Sequence, residues 1–432
     1  MRDLGMVFRV EWMKLLARKR IWVTVGLALV FAAGLILITG AGSDISIHDD
    51  KKILEDMKLQ VTQIEQQLAK TTDPTERSSL ESEMKNMNES IIMMDKQLKD
   101  SQDMQTGDWR RVITERLNEA KNIPEELRED MQGQPSIIQK REEALREQEV
   151  LKMQYLLDQD QRPLDPMYAW SSSYVMLSEI SPLIVLAVLP LLVVLLVADF
   201  ISGETTSGTI KLLLVRPISR WKIFIGKWLV SFVATLLLSI GFIVTTILGV
   251  LAVNGTAGAN EPTFVNVPQT YETIPANELK NIPREERQGD QILIPDYTKA
   301  DIIPMSEYVW TTYGLSCLTM LVVASFTMLC SSFFKSSMVS TAVALVVNIF
   351  SFVVIFIFAN PMFGQAVGTG NKYFAWLYSY HLNIGKYWSH YITNGTVFEL
   401  SFFTGSLILV FWLVGSLLLG GYYFHRKDIL NA

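Results

Sequence analysis

Six stretches of the chain, residues 21–39, 180–198, 228–253, 308–330, 338–359 and 402–424, are apolar and free of Lys, Arg, Asp and Glu through their central portions. A helix needs about 20 such residues to cross a bilayer, where its backbone must satisfy its own hydrogen bonds. The expected fold class is therefore an all-α membrane protein with six transmembrane helices. Composition agrees. Charged residues make up 19% of the 432, against about 25% in a typical soluble domain, and they collect between the apolar blocks. The third stretch exceeds the usual length and has room to tilt or fray.

Basic residues set the orientation. Arg2, Arg9, Lys14, Arg18, Lys19 and Arg20 precede the first stretch, and Lys211, Arg216, Arg220, Lys222 and Lys227 lie between the second and third. Lys335 separates the fourth from the fifth, and Arg426 and Lys427 follow the sixth. With six spans all of these fall on one side, predicted to be cytoplasmic, with both termini inside a multi-pass protein of a bacterial plasma membrane. The first apolar run is longer than a signal-peptide core of 7–15 residues, so it reads as an uncleaved anchor. Within residues 1–20, Leu4, Val7, Phe8, Trp12 and Leu15 recur at helical spacing. This predicts an amphipathic helix in the cytoplasmic interface, its basic face toward anionic lipid.

The chain divides accordingly into an interfacial helix (1–20), the first span (21–39), an outer helical domain (40–178), the second and third spans with a connecting loop (179–253, loop 199–227), a proline-rich outer insertion (254–307), and the last three spans (308–432) with an outer segment at 360–401. In the helical domain Leu80, Met84, Met87, Ile91, Met94 and Leu98 alternate steps of four and three, and Met57, Val61, Ile64 and Leu68 repeat the rhythm. Such a narrow seam suits a coiled-coil-like helical hairpin. Thr71-Thr-Asp-Pro74 supplies the second helix start, and further helices are expected at 108–121 and 135–158. The insertion carries Pro262, Pro268, Pro275, Pro283, Pro295 and Pro304, which exclude a long helix. It reads as irregular, with short extended pieces such as 291–294. The segment 360–401 is rich in Trp and Tyr and too polar to span, which predicts short interfacial or re-entrant helices. Asn394 begins a glycosylation-type triplet. Cys317 and Cys330 share one apolar block and read as packing residues, and no metal-ligand spacing is present.

Residues 203–211, GETTSGTIK, nearly spell a phosphate-binding loop. That loop requires a preceding strand and a lysine directly after its second glycine. Here an apolar helix precedes, and Thr209 and Ile210 displace Lys211. The wider segment 199–227 reads instead as a polar turn at Glu204 and Thr205, an apolar helical face at Ile210, Leu213 and Leu214, and a stop at Pro217. A helix braced between two spans in this way would tilt both when pushed.

The order Glu204…Gly208-Thr209…Leu212-Leu213…Arg216-Pro217…Ser219-Arg220…Gly226-Lys227 resembles the signature of type-2 ABC exporter permeases. The resemblance extends to the interfacial N-terminal helix, the six spans and the short outer helices before the last span. It implies that this loop forms coupling and gate helices docking on a separate ATP-binding cassette subunit, which would bind ATP and Mg while this chain holds no cofactor. The coupling residues it implies are Glu204, Thr205, Gly208, Thr209, Lys211, Leu212, Arg216, Pro217 and Arg220, with no catalytic residue and no metal. Expected partners are the ATPase, a second permease copy or a related permease, membrane lipid and an outer protein, but no nucleic acid. The large outer hairpin departs from compact members of the family. The leading function is export of a hydrophobic or amphipathic molecule. A sensor or envelope scaffold is the alternative. An ion-coupled transporter would place an ionisable group at mid-membrane, where Asn348 is the most polar side chain.

Overall fold

The computed structural model describes residues 2–41, 47–71, 74–122, 133–165, 172–209, 218–287, 289–359, 375–394 and 400–426. Helix α1 (Arg2–Ala17) precedes the first span, α2 (Lys19–Ala41). Helices α3 (Ile47–Leu68), α4 (Pro74–Thr106), α5 (Trp109–Lys121) and α6 (Ser136–Asp158) form the helical domain expected to lie outside, called the outer domain. The second span is α7 (Ser173–Leu183) and α8 (Leu189–Val197), joined through a π-helical turn at Ile184–Val188. The short helix α9 (Ser202–Thr206) follows it, and α10 (Arg220–Asn254) is the third span. Strands β1 (Pro262–Val265), β2 (Val267–Thr273), β3 (Gln291–Pro295) and β4 (Asp301–Pro304) lead to the fourth span, α11 (Met305–Phe333), and the fifth, α12 (Ser337–Ala359). A 3-10 turn (Tyr378–His381), α13 (Gly385–Ser389) and β5 (His390–Ile392) precede the last span, α14 (Phe402–Arg426). Among the described residues six helices are long and apolar enough to cross a membrane. The chain is an all-α membrane protein with a little sheet outside the spans.

The irregularity in the second span has a local cause. Pro182 and Pro190 flank the π turn, and each lacks the N–H that an α-helical ladder needs. A wider turn between them accommodates the missing donors.

Helix α11 is central, packed against α8, α10, α12 and α14. Small and hydroxylated side chains let these helices approach, as expected where the hydrophobic effect does not drive association. Trp228 Nε1 donates to Ser325 Oγ at 3.0 Å, and Ser340 Oγ donates to the Ala198 carbonyl at 2.9 Å. The far sides of α2 and α14 leave Val23, Val30, Leu37, Leu407, Phe411 and Leu418 exposed, which only a lipid environment accepts as a continuous surface. Both Cys317 and Cys330 are buried and free on α11.

In the outer domain the expected hairpin is present, α3 packing on α4. Leu54, Val61, Ile64 and Leu98 are buried, and the remaining seam residues from Met57 to Met94 are less exposed than their neighbours. The helices expected at 108–121 and 135–158 are α5 and α6.

The insertion after α10 is more ordered than its prolines suggest. Strands β1 and β4 pair antiparallel, and β2 pairs antiparallel with β3 and parallel with β5. Pro262, Pro295 and Pro304 sit at strand ends, where a missing N–H does not interrupt a ladder. The segment before α14 likewise includes a strand as well as short helices; residues 360–374 and 395–399 lie outside the described residues. Asn394 accepts from Tyr271 N at 2.6 Å and donates to Tyr271 O at 2.9 Å, so its amide extends the strand pairing. Helix α6 covers this sheet through Ile137, packed with Ile274, Ile282 and Ile292, and through Lys140–Glu272 at 2.8 Å.

Spans α2 and α10 meet most closely toward the outer domain. A Cβ on Gly249 would clash with Ile36 Cδ1 and lie 2.8 Å from its Cγ1. Gly249→Leu is therefore expected to cost about 1–3 kcal/mol by overpacking. Melting in detergent should show the loss, and adding Ile36→Ala should recover most of it.

Candidate functional site

The site lies where α1, the end of the second span and the start of the third converge. Along α1, Val7, Glu11 and Leu15 are buried, one line of a helix at steps of four. An acidic residue thus sits in an apolar stripe. The stripe meets α10 at Gly226, where a Cβ would fall 2.5 Å from Val7 Cγ1. Glycine lets the helices cross closely enough to enclose the next side chain, Lys227, which is 0% exposed.

Lys227 Nζ donates to Glu11 Oε2 at 2.5 Å and lies 2.8 Å from Glu204 Oε2. Lys14 Nζ donates to Glu11 Oε1 at 2.8 Å and to Glu204 Oε1 at 3.2 Å. Arg18 lies 3.6 Å from Glu204 and 3.5 Å from Asp199, and Arg20 lies 3.5 Å from Asp199. Four cations and three carboxylates from α1, α2, α10 and the end of the second span therefore form one network. The basic residues of α1 do not all face lipid as expected. Lys14 and Arg18 turn inward to the carboxylates, because burying Glu11 and Glu204 requires counter-charges; Arg9 and Lys19 stay exposed.

Glu204 is held from behind. The amides of Ile201 and Ser202 both donate to Ser331 Oγ at 3.0 Å. Thr206 Oγ1 donates to the Ser202 and Lys335 carbonyls at 2.8 and 3.1 Å and accepts from Ser337 N at 3.2 Å. The turn α9 is thereby tied to the α11–α12 corner. Thr205 Oγ1 donates to the Ile201 carbonyl at 3.0 Å. Gly208 occupies the left-handed region at φ 71°, and Thr209 Oγ1 lies 2.9 Å from Ser207 Oγ. Arg220 Nη1 donates to the His425 carbonyl at 2.9 Å, joining the start of α10 to the end of α14. Lys211, Leu212, Arg216 and Pro217, and the apolar face at Ile210, Leu213 and Leu214, lie outside the described residues. Gly203 sits in a helical turn entered from a helix, not in a loop after a strand.

Residues 6–429 match the family model for the ABC-2 family transporter protein. The chain belongs to that family. It is accordingly a transmembrane component of an ABC transporter, a membrane class generally non-catalytic itself that works with an ATP-binding cassette ATPase. Comparison with curated proteins gives no match.

Within this ABC-2 protein, sequence reasoning singled out Glu204 but not Lys14, Arg18 and Lys227 as its counter-charges, nor Glu11 and Asp199 as the carboxylates that share them. The available signals were an acidic residue on the Val7–Leu15 line and a lysine directly following Gly226. Asn348 is engaged locally, donating to the Ala344 carbonyl at 2.8 Å and accepting from Tyr378 Oη at 3.1 Å.

Burial by itself would raise the Glu11 carboxyl, but Lys227 and Lys14 outweigh it and hold it below its usual value. Burial would lower the Lys14 ammonium, while Glu11 and Glu204 raise it above its usual value. The Glu11 contribution to stability is thus complete above the unfolded carboxylate's pKa and is lost as pH falls through the lower folded one. That of Lys14 is complete below the ordinary lysine value and is lost as pH rises through the raised one. The contribution of these two groups is therefore constant between roughly pH 5 and 10, so the gap in melting temperature in detergent between the wild type and Glu11→Gln should be flat there and narrow below pH 5. Lys227→Met, which leaves Glu11 and Glu204 facing each other, is expected to cost about 3–5 kcal/mol. Adding Glu204→Gln should return part of that loss.

Proposed function

We propose that this chain is the permease of an ATP-driven exporter, and that the network around Lys227 carries movement from a separate ATPase subunit into the spans. The basic side is cytosolic on the charge rule, and residues 204–216 are where the ATPase docks. The observation supporting this reading is the buried Glu11–Lys227–Glu204 cluster. It makes the first turn of the docking loop, the N-terminal helix and the third span one mechanical body. Displacing Glu204 without also displacing α1 and α10 would leave a buried charge unpaired, which costs several kcal/mol. Nucleotide-dependent contacts with the ATPase would supply the differential energy that a switch between two access states requires.

Six spans from one chain favour a pathway formed between two copies, or with a related permease. A span surface without ionisable groups at mid-membrane favours hydrophobic or amphipathic cargo, such as lipids, lipid-linked molecules or membrane-active peptides. A second reading, a sensor or scaffold moved by ATP, draws support from the outer domain. Lys152 reaches Glu261 at 2.5 Å, and Met305 N donates to the Glu261 carbonyl at 2.8 Å, so α6 is joined to the start of α11. Deleting residues 49–158 separates the two readings: surviving ATP-dependent export assigns the domain to docking, and its loss assigns the domain to the route.

Co-purification with the endogenous ATPase, followed by reconstitution, tests the coupling. Glu204→Ala is expected to weaken assembly or to separate ATP hydrolysis from transport. Wild-type stimulation and transport by this variant would remove Glu204 from the role. ATP hydrolysis by the purified chain alone would overturn the reading as a whole.

A further inference from the structure

The close contact of Gly249 with Ile36 and the insertion of α1 beside α10 leave a space between them. Below the Gly249 contact α2 and α10 diverge around a groove of about 310 Å³. Ile21, Val25, Ala28 and Ala32 form one wall, Ala234, Leu238, Gly241 and Phe242 the other. Leu196 of α8 forms the floor, and Trp12, Leu15 and Leu16 of α1 close the end nearest the charge network.

We infer that this groove is a binding site for one acyl chain of an anionic phospholipid in the leaflet on the basic side. Its length is the first reason. From Ile21 to Ala32, and from Ala234 to Thr245, the walls extend roughly 16 Å at 1.5 Å per residue. That is about half of a 30 Å hydrocarbon core, the depth of one leaflet.

Its width is the second reason. A volume of 310 Å³ over that length gives a mean cross-section of about 20 Å². A helix 10–12 Å across needs about 80–110 Å², so a span of a second copy would insert only side chains, whereas a flexible hydrocarbon chain can lie in the groove along its length. The lining is apolar apart from the Trp12 indole and the Thr245 hydroxyl. Water is excluded from such a space, and an empty groove would forfeit the dispersion contacts of its walls.

Charge is the third reason. The network beside the closed end holds four cations against three carboxylates, and Lys19 remains exposed between the lining residues Leu16 and Ile21. Trp22, also exposed, donates its Nε1 to the Leu16 carbonyl at 3.0 Å. A tryptophan and a lysine beside that end are the side chains that occupy headgroup depth. The leaflet is the cytosolic one on the orientation proposed above; the chain site stands without that assignment.

The test uses the full chain in nanodiscs of phosphatidylcholine containing phosphatidylglycerol with a photoreactive diazirine at mid-chain. After irradiation, adducts are mapped by peptide mass spectrometry. Labelling within 25–32 and 237–245 is expected to exceed that at Phe411 and Leu418 on α14 several-fold. Gly241→Phe should abolish the excess and leave the α14 background unchanged, since a Cβ at Gly241 meets nothing within 4 Å and the fold accepts it. Equal labelling on both faces, or an excess unaffected by Gly241→Phe, would overturn the site. So would efficient disulfide-linked dimerisation of Gly241→Cys, which would show a second copy covering the groove. Lys19→Gln should reduce labelling by the phosphatidylglycerol probe and not by its phosphatidylcholine counterpart; equal effects on both would overturn the anionic assignment. None of these measurements involves an ATPase, so failure here is distinct from failure of the transport reading.

Discussion

A lysine with no access to water, two turns inside the third span, is the constraint around which the basic side of this molecule is arranged. Taking an ammonium out of water is among the most expensive steps in folding, and it is tolerated only with close counter-charges and good geometry. Lys227 obtains them from Glu11 and Glu204, residues from different elements. Helix α1 cannot slide along α10 without moving Glu11 away, and the α9 turn cannot rotate without removing Glu204. Lys14 and Arg18 then answer the second oxygen of each carboxylate and the neighbouring Asp199. Ionic pairing here contributes less to net stability than to specifying a single arrangement of five segments.

Around this cluster, neutral hydrogen bonds extend the same rigidity. Ser331 accepts from two successive amides at the end of the second span, and Ser340 binds a carbonyl one turn earlier. Arg220 ties the third span to the sixth at a helix C-terminus, where a cation also meets the favourable end of the helix dipole. Motion delivered to the loop after Glu204 would therefore be shared among the spans rather than absorbed locally. Between α2 and α10 this packing opens into the groove, which is bounded by a glycine contact at one end and by α1 at the other.

The outer domain continues this connectivity across the membrane. Its helices reach the spans through α6, whose charged face pairs with the strands and whose apolar face packs on them. On the same side Lys386 lies 3.9 Å from the centre of the Tyr380 ring and 4.8 Å from that of Tyr387, and burial draws its ammonium down to about 8. Beside it His381, buried against the Ala375 carbonyl and Tyr387, is drawn down to about 4 by burial. Tyr380 and Tyr387, two of the aromatic residues that sequence reading placed at the membrane boundary, thus pack around Lys386 and His381.

What the chain determined by itself was the number of apolar spans, though not their full helical extent (the second runs Ser173–Thr206 and the third begins at Arg220), the hairpin seam from Met57 to Leu98 and the helices beyond it. These follow from local periodicity and from the length of apolar runs, which neighbouring residues encode and a bilayer enforces. Of the insertion's strands only β3 was legible, as the extended piece at 291–294; the sheets were hidden because their pairing is non-local: β2 joins β5 across more than a hundred residues, and no pattern within either short strand announces the other. The charge network was hidden for the same reason. Glu11, Glu204 and Lys227 were each visible, but as an ordinary interfacial residue, a loop residue and a topology signal. Only the tertiary structure, by crossing α1 over Gly226 and excluding water from the space beside it, turned three separate charges into one buried unit.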